Sequence, residues 1–173
     1  MSSTMNVPKA PTSCDRHGGV VGALIIVVLA FVAYYPAMHG EFIFDDPLMI
    51  THNALVRAPD GLVKIWFTTK PNDYLPLTYT VMWLQWRTFG DNTLGYHVVN
   101  VAIHALAAIS LWRVLRRLAV PFGWLAAAIF AVHPMAVASV AWVTELKNTL
   151  SLLLAALALL TFLRFEDEQR RGW

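Results

Sequence analysis

A chain of 173 residues has the length of one ordinary domain, but 57% of its residues are hydrophobic, which is too apolar for a soluble globule of this size. The formal net charge of +2 comes from dispersed basic residues and excludes the concentrated basic face of a nucleic-acid-binding protein. The single cysteine, Cys14, excludes an intrachain disulfide framework and a Cys-based zinc site. The composition predicts a polytopic membrane protein.

The N-terminal part of the chain predicts a tail followed by a first spanning helix. Residues 1–17 are polar and contain Pro8 and Pro11, which discourage a helix. Residues 18–38 then supply about 20 apolar residues, enough for a helix to cross roughly 30 Å of hydrocarbon. A cleaved signal peptide is the alternative, but the apolar run is too long for one and no A-x-A cleavage site follows it.

The next segment, residues 40–93, mixes charges with aromatic residues and prolines, so it cannot span a membrane as a whole. Within it, residues 75–86 are free of charge over about 12 positions, a length that suits an interfacial helix better than a spanning one. Trp83 and Trp86 are typical of the depth at which membrane and water meet. We expect one helix here, lying in the interface.

Three further helical regions are predicted after this loop. The second spanning helix covers residues 94–112, and a third runs from about residue 122 to residue 132. Pro134 is expected to break that helix and to be followed by a short return helix that ends near Val143. The fourth spanning candidate covers residues 150–163, with room to extend at both ends.

The basic residues predict the orientation, because Lys and Arg in short segments are retained on the cytoplasmic side. When four spans alternate, one side receives Lys9, Arg16, Arg113, Arg116, Arg117, Arg164, Arg170 and Arg171. The prediction is an all-α, polytopic membrane protein with about four transmembrane helices plus one interfacial helix. Its helical membrane domain covers residues 18–165, its external loop covers residues 40–93, and its cytoplasmic tails cover residues 1–17 and 166–173.

Two adjacent carboxylates, Asp45 and Asp46, follow the first predicted span directly. Such a pair can provide a general base and a substrate or metal ligand, since a nearby like charge raises the pKa of one carboxyl group toward working pH. An Asp-Asp-Pro sequence also forms an ordinary turn, in which Asp caps the next element and Pro47 fixes φ. The dipeptide alone leaves both interpretations open.

A polar stripe is predicted on one face of the second spanning helix, because His97, Asn100 and His104 follow one another at helical spacing. Polar groups at membrane depth usually face protein, water or a ligand. No metal site is expected, since the chain has no HExxH or similar spacing, and no cofactor is expected either. Hydrogen bonding to neighbouring helices or main chain is favoured, and ligation of a porphyrin or chlorin by a buried histidine is the alternative.

Several segments together resemble the N-terminal membrane region of bacterial GT-C-class glycosyltransferases that carry tetratricopeptide repeats. They are also similar to the eukaryotic transmembrane-and-TPR O-mannosyltransferases. The segments read FIFDDPLMITHN, YLPLTYTVMWLQW, GYHVVNVAIHAL, WRVLRRL, AIFAVHP and VAWVTELKNTLS. In that class an acidic residue of the first external loop acts as catalytic base toward an acceptor hydroxyl, and the donor is a sugar on a polyprenyl phosphate. The resemblance therefore implies catalytic roles for Asp45 and Asp46.

The resemblance also implies that His133, Glu145 and Lys147 bind substrate near the donor phosphate. One position departs from the family pattern, because Ala138 stands where a Glu is expected. The class builds its site from roughly ten or more spans, whereas about four are predicted here, and no TPR-like repeat period is present in the chain.

Two functions fit these patterns. The favoured one is a non-catalytic accessory subunit of a larger complex in the bacterial inner membrane, derived from the front end of such a transferase. The alternative is a fragment or split half of a polyprenyl-phosphate-sugar-dependent O-glycosyltransferase. The expected partners are the lipid bilayer, other membrane-protein subunits and a polyprenyl-phosphate lipid, and nucleic acid is not among them.

Overall fold

The structure is a computed structural model that describes residues 13–68 and 73–171. Within those residues every regular element is helical and no strand is present, which confirms the all-α class. The α-helices are α1 (Ser13–Ala33), α2 (Ala54–Arg57), α3 (Gly61–Phe67), α4 (Pro76–Phe89), α5 (Thr93–Arg117), α6 (Gly123–Val132), α7 (Val137–Ala141) and α8 (Leu146–Arg171).

The long helix α5 lies at the centre of the bundle and packs against α1, α6, α7 and α8. Its buried face includes Ala105, Ala107 and Ala108, and small residues of this kind let helix backbones approach closely. Across the same interface the Trp124 indole Nε1 donates to the carbonyl oxygen of Gly22 at 3.1 Å. This contact ties α6 to α1 beside α5.

The number of spanning helices can be compared with the four expected. By length and composition, two helical stretches can cross a membrane, Thr93–Arg117 and Val143–Gln169. The α6–α7 pair, bent by 52°, provides a third if it is counted as one span, and the apolar part of α1, His17–Ala33, is shorter. The described residues therefore contain two or three candidate spans, and a count of four is not confirmed.

The bend between α6 and α7 lies at the position expected from the sequence. His133 has an extended backbone after α6, and Pro134 begins a single 3-10 turn before α7. Proline lacks the N–H that would continue the helix and disfavours helical geometry in the residue before it. The α6 segment of 10 residues rises only about 15 Å, so it cannot cross the hydrocarbon by itself.

The predicted tails differ from the structure where they can be compared. Residues 1–12 and 172–173 lie outside the described residues. Residues 13–17 already belong to α1, because the proline effect does not extend beyond Pro11. At the other end α8 continues through the charged residues to Arg171, and Asp167 accepts a charged hydrogen bond of 2.6 Å from Arg117 of α5.

Residues 40–93, expected as an external loop, form a helical module with its own hydrophobic core. The buried residues of this core are Ile50, Val56, Ile65, Tyr79, Met82, Tyr96 and Val143. Because two of them come from α5 and the α7–α8 junction, the module packs directly on the bundle. Its longest helix, α4, has 14 residues and a length of about 21 Å, too short to span a membrane.

Gly61 supplies a test of this module, because a Cβ atom there would overlap the carbonyl oxygen of Leu55. We expect Gly61→Ala to destabilise the protein by about 1–3 kcal/mol, as overpacking against rigid backbone does. The matched control is Gly18→Ala in α1, where a Cβ atom meets nothing within 4 Å. Thermal unfolding in detergent should show a lower midpoint for Gly61→Ala alone, and equal midpoints for the two variants would contradict the packing described.

Candidate active site

The two adjacent carboxylates have different environments. The Asp45 side chain is exposed, whereas Asp46 is 0% exposed. One carboxylate oxygen of Asp46 accepts the main-chain N–H of Ile43 at 3.0 Å, and the other accepts the main-chain N–H of Thr144 at 2.9 Å. Both oxygens of Asp46 are thus occupied by backbone, and the second bond joins the first loop to the α7–α8 junction.

The expected capping role of this pair is not observed. Pro47 does begin a single π-helical turn, Pro47–Thr51, but the Asp46 side chain makes no hydrogen bond to that turn. One carboxylate oxygen instead accepts the N–H of Ile43, which precedes Asp46 in the chain, and the other accepts the N–H of Thr144. The Asp-Asp-Pro turn therefore serves as an attachment point between distant segments and not as a helix cap.

The residue before the pair adopts an unusual conformation. Phe44 has φ of 50°, a left-handed geometry that costs a bulky L-residue about 1–2 kcal/mol. Its ring lies 5.2 Å from the ring of Trp142. The contact with Trp142 and the Asp46–Ile43 hydrogen bond hold this strained turn, and Asp45 extends from it toward solvent.

The α7–α8 junction is fixed from the other side by α5. The Asn100 amide donates to the carbonyl oxygens of Trp142 at 3.3 Å and of Val143 at 3.2 Å. Since Thr144 donates to Asp46, three successive junction residues are bound by two buried side chains. The Asp46–Thr144 bond joins segments 98 residues apart in sequence, and the predicted site residues Asp45 and Glu145 each follow or precede one partner of this bond directly.

Glu145 and Lys147 form one charged cluster with Asn148. Glu145, 17% exposed, pairs through one carboxylate oxygen with the Lys147 ammonium at 2.8 Å. Its other oxygen accepts the Asn148 amide at 2.5 Å, and that amide also contacts the Ser139 hydroxyl at 3.2 Å. The negative charge of Glu145 is therefore matched by the ammonium of Lys147, which is itself 39% exposed.

His133 belongs to a neighbouring part of the same region. Its Nδ1 atom accepts the main-chain N–H of Met135 at 3.2 Å and caps the turn at the helix break. The exposed ring borders a cavity of about 470 Å³ between α6, α7 and α8, whose wall also includes His104, Ser139 and Asn148. His133 therefore lines the same cavity as Asn148, which binds Glu145 of the charged cluster.

The three residues of the polar stripe all contact main chain at positions where helices end. His104 Nε2 lies 3.1 Å from the carbonyl oxygen of Ala131, near the end of α6. Asn100 binds the junction as described, and the buried His97 ring lies beside the main chain of Gly40 and Ala141. Within the described part of the chain the two His97 ring nitrogens make no hydrogen bond of good geometry.

The position that departs from the family pattern, Ala138, is exposed on α7. The next residue in the chain is Ser139, whose hydroxyl contacts Asn148. Across residues 13–68 and 73–171, no group of three or more His, Cys, Asp or Glu side chains has an arrangement that could hold a metal ion.

Some of the residues that shape the site were not found from the sequence. The Glu145–Asn148 contact has helical i, i+3 spacing, so this signal was available. The roles of Phe44 and of the Thr144 amide depend on backbone geometry and on long-range approach, which no local pattern reveals.

The different environments of the two aspartates generate a stability prediction. Asp46→Ala leaves two main-chain N–H groups without their acceptor, and a buried unpaired donor costs about 1–3 kcal/mol. We therefore expect a clear loss of thermal stability for Asp46→Ala and almost none for Asp45→Ala, whose side chain is exposed. Detergent-solubilised variants compared by thermal unfolding would test this, and equal losses in the two variants would contradict the assignment of Asp46 as an anchor.

Comparison with known proteins adds an independent line of evidence. The chain is 28% identical over 167 residues to a protein O-mannosyl-transferase of Caenorhabditis elegans, covering 88% of this chain and 24% of that protein. It is 31% identical over 176 residues to protein O-mannosyl-transferase Tmtc1 of Drosophila melanogaster, covering 92% of this chain and 20% of the relative. It is 27% identical over 176 residues to protein O-mannosyl-transferase TMTC4 of Homo sapiens, covering 86% and 24% respectively.

The chain thus spans a quarter or less of the length of these relatives. No solved structure matches it. The family model described as dolichyl-phosphate-mannose-protein mannosyltransferase matches residues 69–173, which is more than half of the chain. Together with the apolar helices, this match identifies a membrane protein that belongs to the dolichyl-phosphate-mannose-protein mannosyltransferase family.

Proposed function

We propose that this chain provides the acidic-loop part of a membrane O-glycosyltransferase site, which transfers mannose from a polyprenyl phosphate to a protein hydroxyl. The observation that carries the proposal is the division of roles between the two aspartates. Asp46 anchors the turn to the junction that precedes Glu145, and Asp45 is left exposed beside it. The names of the relatives, protein O-mannosyl-transferases, support mannose as the sugar.

In this proposal Asp45 is the general base. Its carboxylate removes the proton from a serine or threonine hydroxyl of the acceptor as the hydroxyl oxygen bonds to C1 of the sugar. The bond between C1 and the phosphate oxygen breaks, and its electron pair leaves with the polyprenyl phosphate. Asp45 then releases its proton to water, for which its exposed position is suited.

Lys147 and His133 are proposed to bind the donor phosphate. The Lys147 ammonium is partly exposed and is held in place by Glu145 at 2.8 Å, so it can also face an anion. His133 is exposed at the rim of the neighbouring cavity. A cation beside the phosphate stabilises the negative charge that develops there as the glycosidic bond breaks.

The proposal places the first loop outside the cytoplasm, with both chain ends inside, in a bacterial cytoplasmic membrane. Support comes from the basic residues, because Arg113, Arg116 and Arg117 follow the central span in a short segment and Lys and Arg in such segments are retained inside. The other parts of the site are proposed to come from further membrane helices, since the class uses roughly ten or more spans.

A second candidate function is that of a non-catalytic accessory subunit, which packs against other membrane-protein subunits. The observation that favours it is Ala138, which is exposed on α7 where the resemblance leads one to expect a carboxylate. Loss of one acidic group from the site would be compatible with a chain that has kept the packing of the family and not its chemistry.

Substitution of the proposed base separates the two candidates. Asp45→Asn should lower the rate of mannose transfer from polyprenyl-phosphate mannose to a Ser/Thr-containing peptide by about 10²–10⁴-fold, the contribution typical of a general base. The matched control is Asp91→Asn, which alters an exposed aspartate outside the site. Radiolabelled transfer in membranes that contain the chain together with the further helices of the site is the measurement.

Equal rates for wild type and Asp45→Asn would contradict the assignment of the base. Absence of transfer in every form, combined with co-purification of the chain with other membrane subunits, would favour the accessory role.

Labelling of cysteines in intact cells tests the orientation. A membrane-impermeant maleimide should leave Cys14 unlabelled and should label Asp60→Cys in a Cys14→Ser background, since Asp60 is exposed in the external module. Lysed cells provide the control, in which both positions should react. Labelling of Cys14 in intact cells, with none at position 60, would reverse the orientation proposed here.

A further inference from the structure

We propose that Asn100 is a positioning residue of this site, holding the Trp142–Thr144 junction so that the segment carrying Glu145 stays in place against the Asp45 turn. The inference rests on the proposed function for its kinetic consequence. Asn100 is distant in sequence from the Asp45 turn and from the junction, and it was expected to form hydrogen bonds to neighbouring helices or main chain. Its contacts give it a more specific task.

The first argument is the geometry of the amide. Asn100 is 0% exposed, and its amide nitrogen donates to two successive carbonyl oxygens, those of Trp142 and Val143. Its own carbonyl oxygen has no hydrogen-bond partner among the described residues. A flipped amide would direct an acceptor at two acceptors, so the two donor contacts fix its orientation.

The second argument is the hydrogen bonding of the junction itself. Helix α7 ends at Ala141 and α8 begins at Leu146, and the short 3-10 turn between them pairs the carbonyls of Trp142 and Val143 with the main-chain N–H groups of Glu145 and Leu146. A carbonyl oxygen has two lone pairs, so each can accept a further donor. Asn100 provides that second donor to both carbonyls and thereby ties the turn to α5.

The third argument is that the same segment also binds the turn that contains Asp45 and Asp46. The Thr144 N–H donates to Asp46, one residue beyond the carbonyls that Asn100 holds. A shift of the junction away from α5 would therefore lengthen the Asp46–Thr144 bond or move the turn that contains Asp45 and Asp46. Either movement changes the position of Asp45 relative to Glu145.

Hydrogen–deuterium exchange tests the contact without any assumption about activity. Asn100→Leu has a similar side-chain volume and removes the donor. We expect deuterium uptake over residues 142–147 to become about 5–10-fold faster in the variant, as loss of buried hydrogen bonds allows local opening.

The matched control is His104→Leu on the same helix. His104 contacts Ala131 and not the junction, so uptake should change near residues 131–133 and stay unchanged over residues 142–147. If Asn100→Leu prevents folding, Asn100→Ala removes the donor with a smaller side chain. Unchanged uptake over the junction in a folded Asn100 variant would overturn the inference.

The kinetic arm tests the consequence for transfer. Misplacement of reacting groups lowers the rate of the chemical step, so we expect kcat for Asn100→Leu to fall about 10–100-fold, while KM for the acceptor peptide changes little. Wild-type kcat in a variant with a loosened junction would overturn the positioning role. Absence of transfer in wild-type membranes that contain the whole site would refute the proposed function instead, and the exchange arm would then decide by itself whether Asn100 holds the junction.

Discussion

The fold depends on a requirement that membranes impose on broken helices, which is that every main-chain group released at a break must find a partner inside the protein. This chain has such breaks at Pro134 and at the junction before α8. Helix α5 supplies the partners from one face, through His104 at the end of α6 and Asn100 at the junction. His104 is a partner for the Ala131 carbonyl before the α6–α7 bend, and Asn100 adds a second donor to the carbonyls of Trp142 and Val143.

The same requirement explains how two identical neighbours acquire different roles. Asp46 is buried and binds two main-chain N–H groups. One of them belongs to the junction that Asn100 of α5 also binds. Asp45, one residue away, is exposed on a strained turn. A buried aspartate whose two oxygens both bind main chain suits a structural role, and an accessible carboxylate suits proton transfer.

Much of the architecture followed from the sequence, because proline and the length of apolar runs act locally. The break at Pro134, the short helix within the first loop and the all-helical class were predicted from these signals and are present. The count of four spans is not confirmed, because the described apolar part of α1, His17–Ala33, is shorter than the other candidates. The core of the module formed within residues 40–93, which includes Tyr96 and Val143, depends on contacts between distant segments and could not be predicted.

The candidate site was accessible to sequence reasoning only in part. The resemblance named Asp45, Asp46, Glu145 and Lys147, but it treated the two aspartates alike. The Asp46–Thr144 hydrogen bond distinguishes them, and it joins residues 98 positions apart. No local pattern carries that information, since the donor is a main-chain N–H.

The use of main-chain donors at Asp46 has a consequence for how the sequence can change over time. The donors belong to Ile43 and Thr144, and every residue except proline offers the same N–H. The side chains at those two positions can therefore be exchanged without loss of the bond. Related chains would show an invariant aspartate with no compensating partner position, and correlated substitutions would not reveal this contact between the two halves of the site.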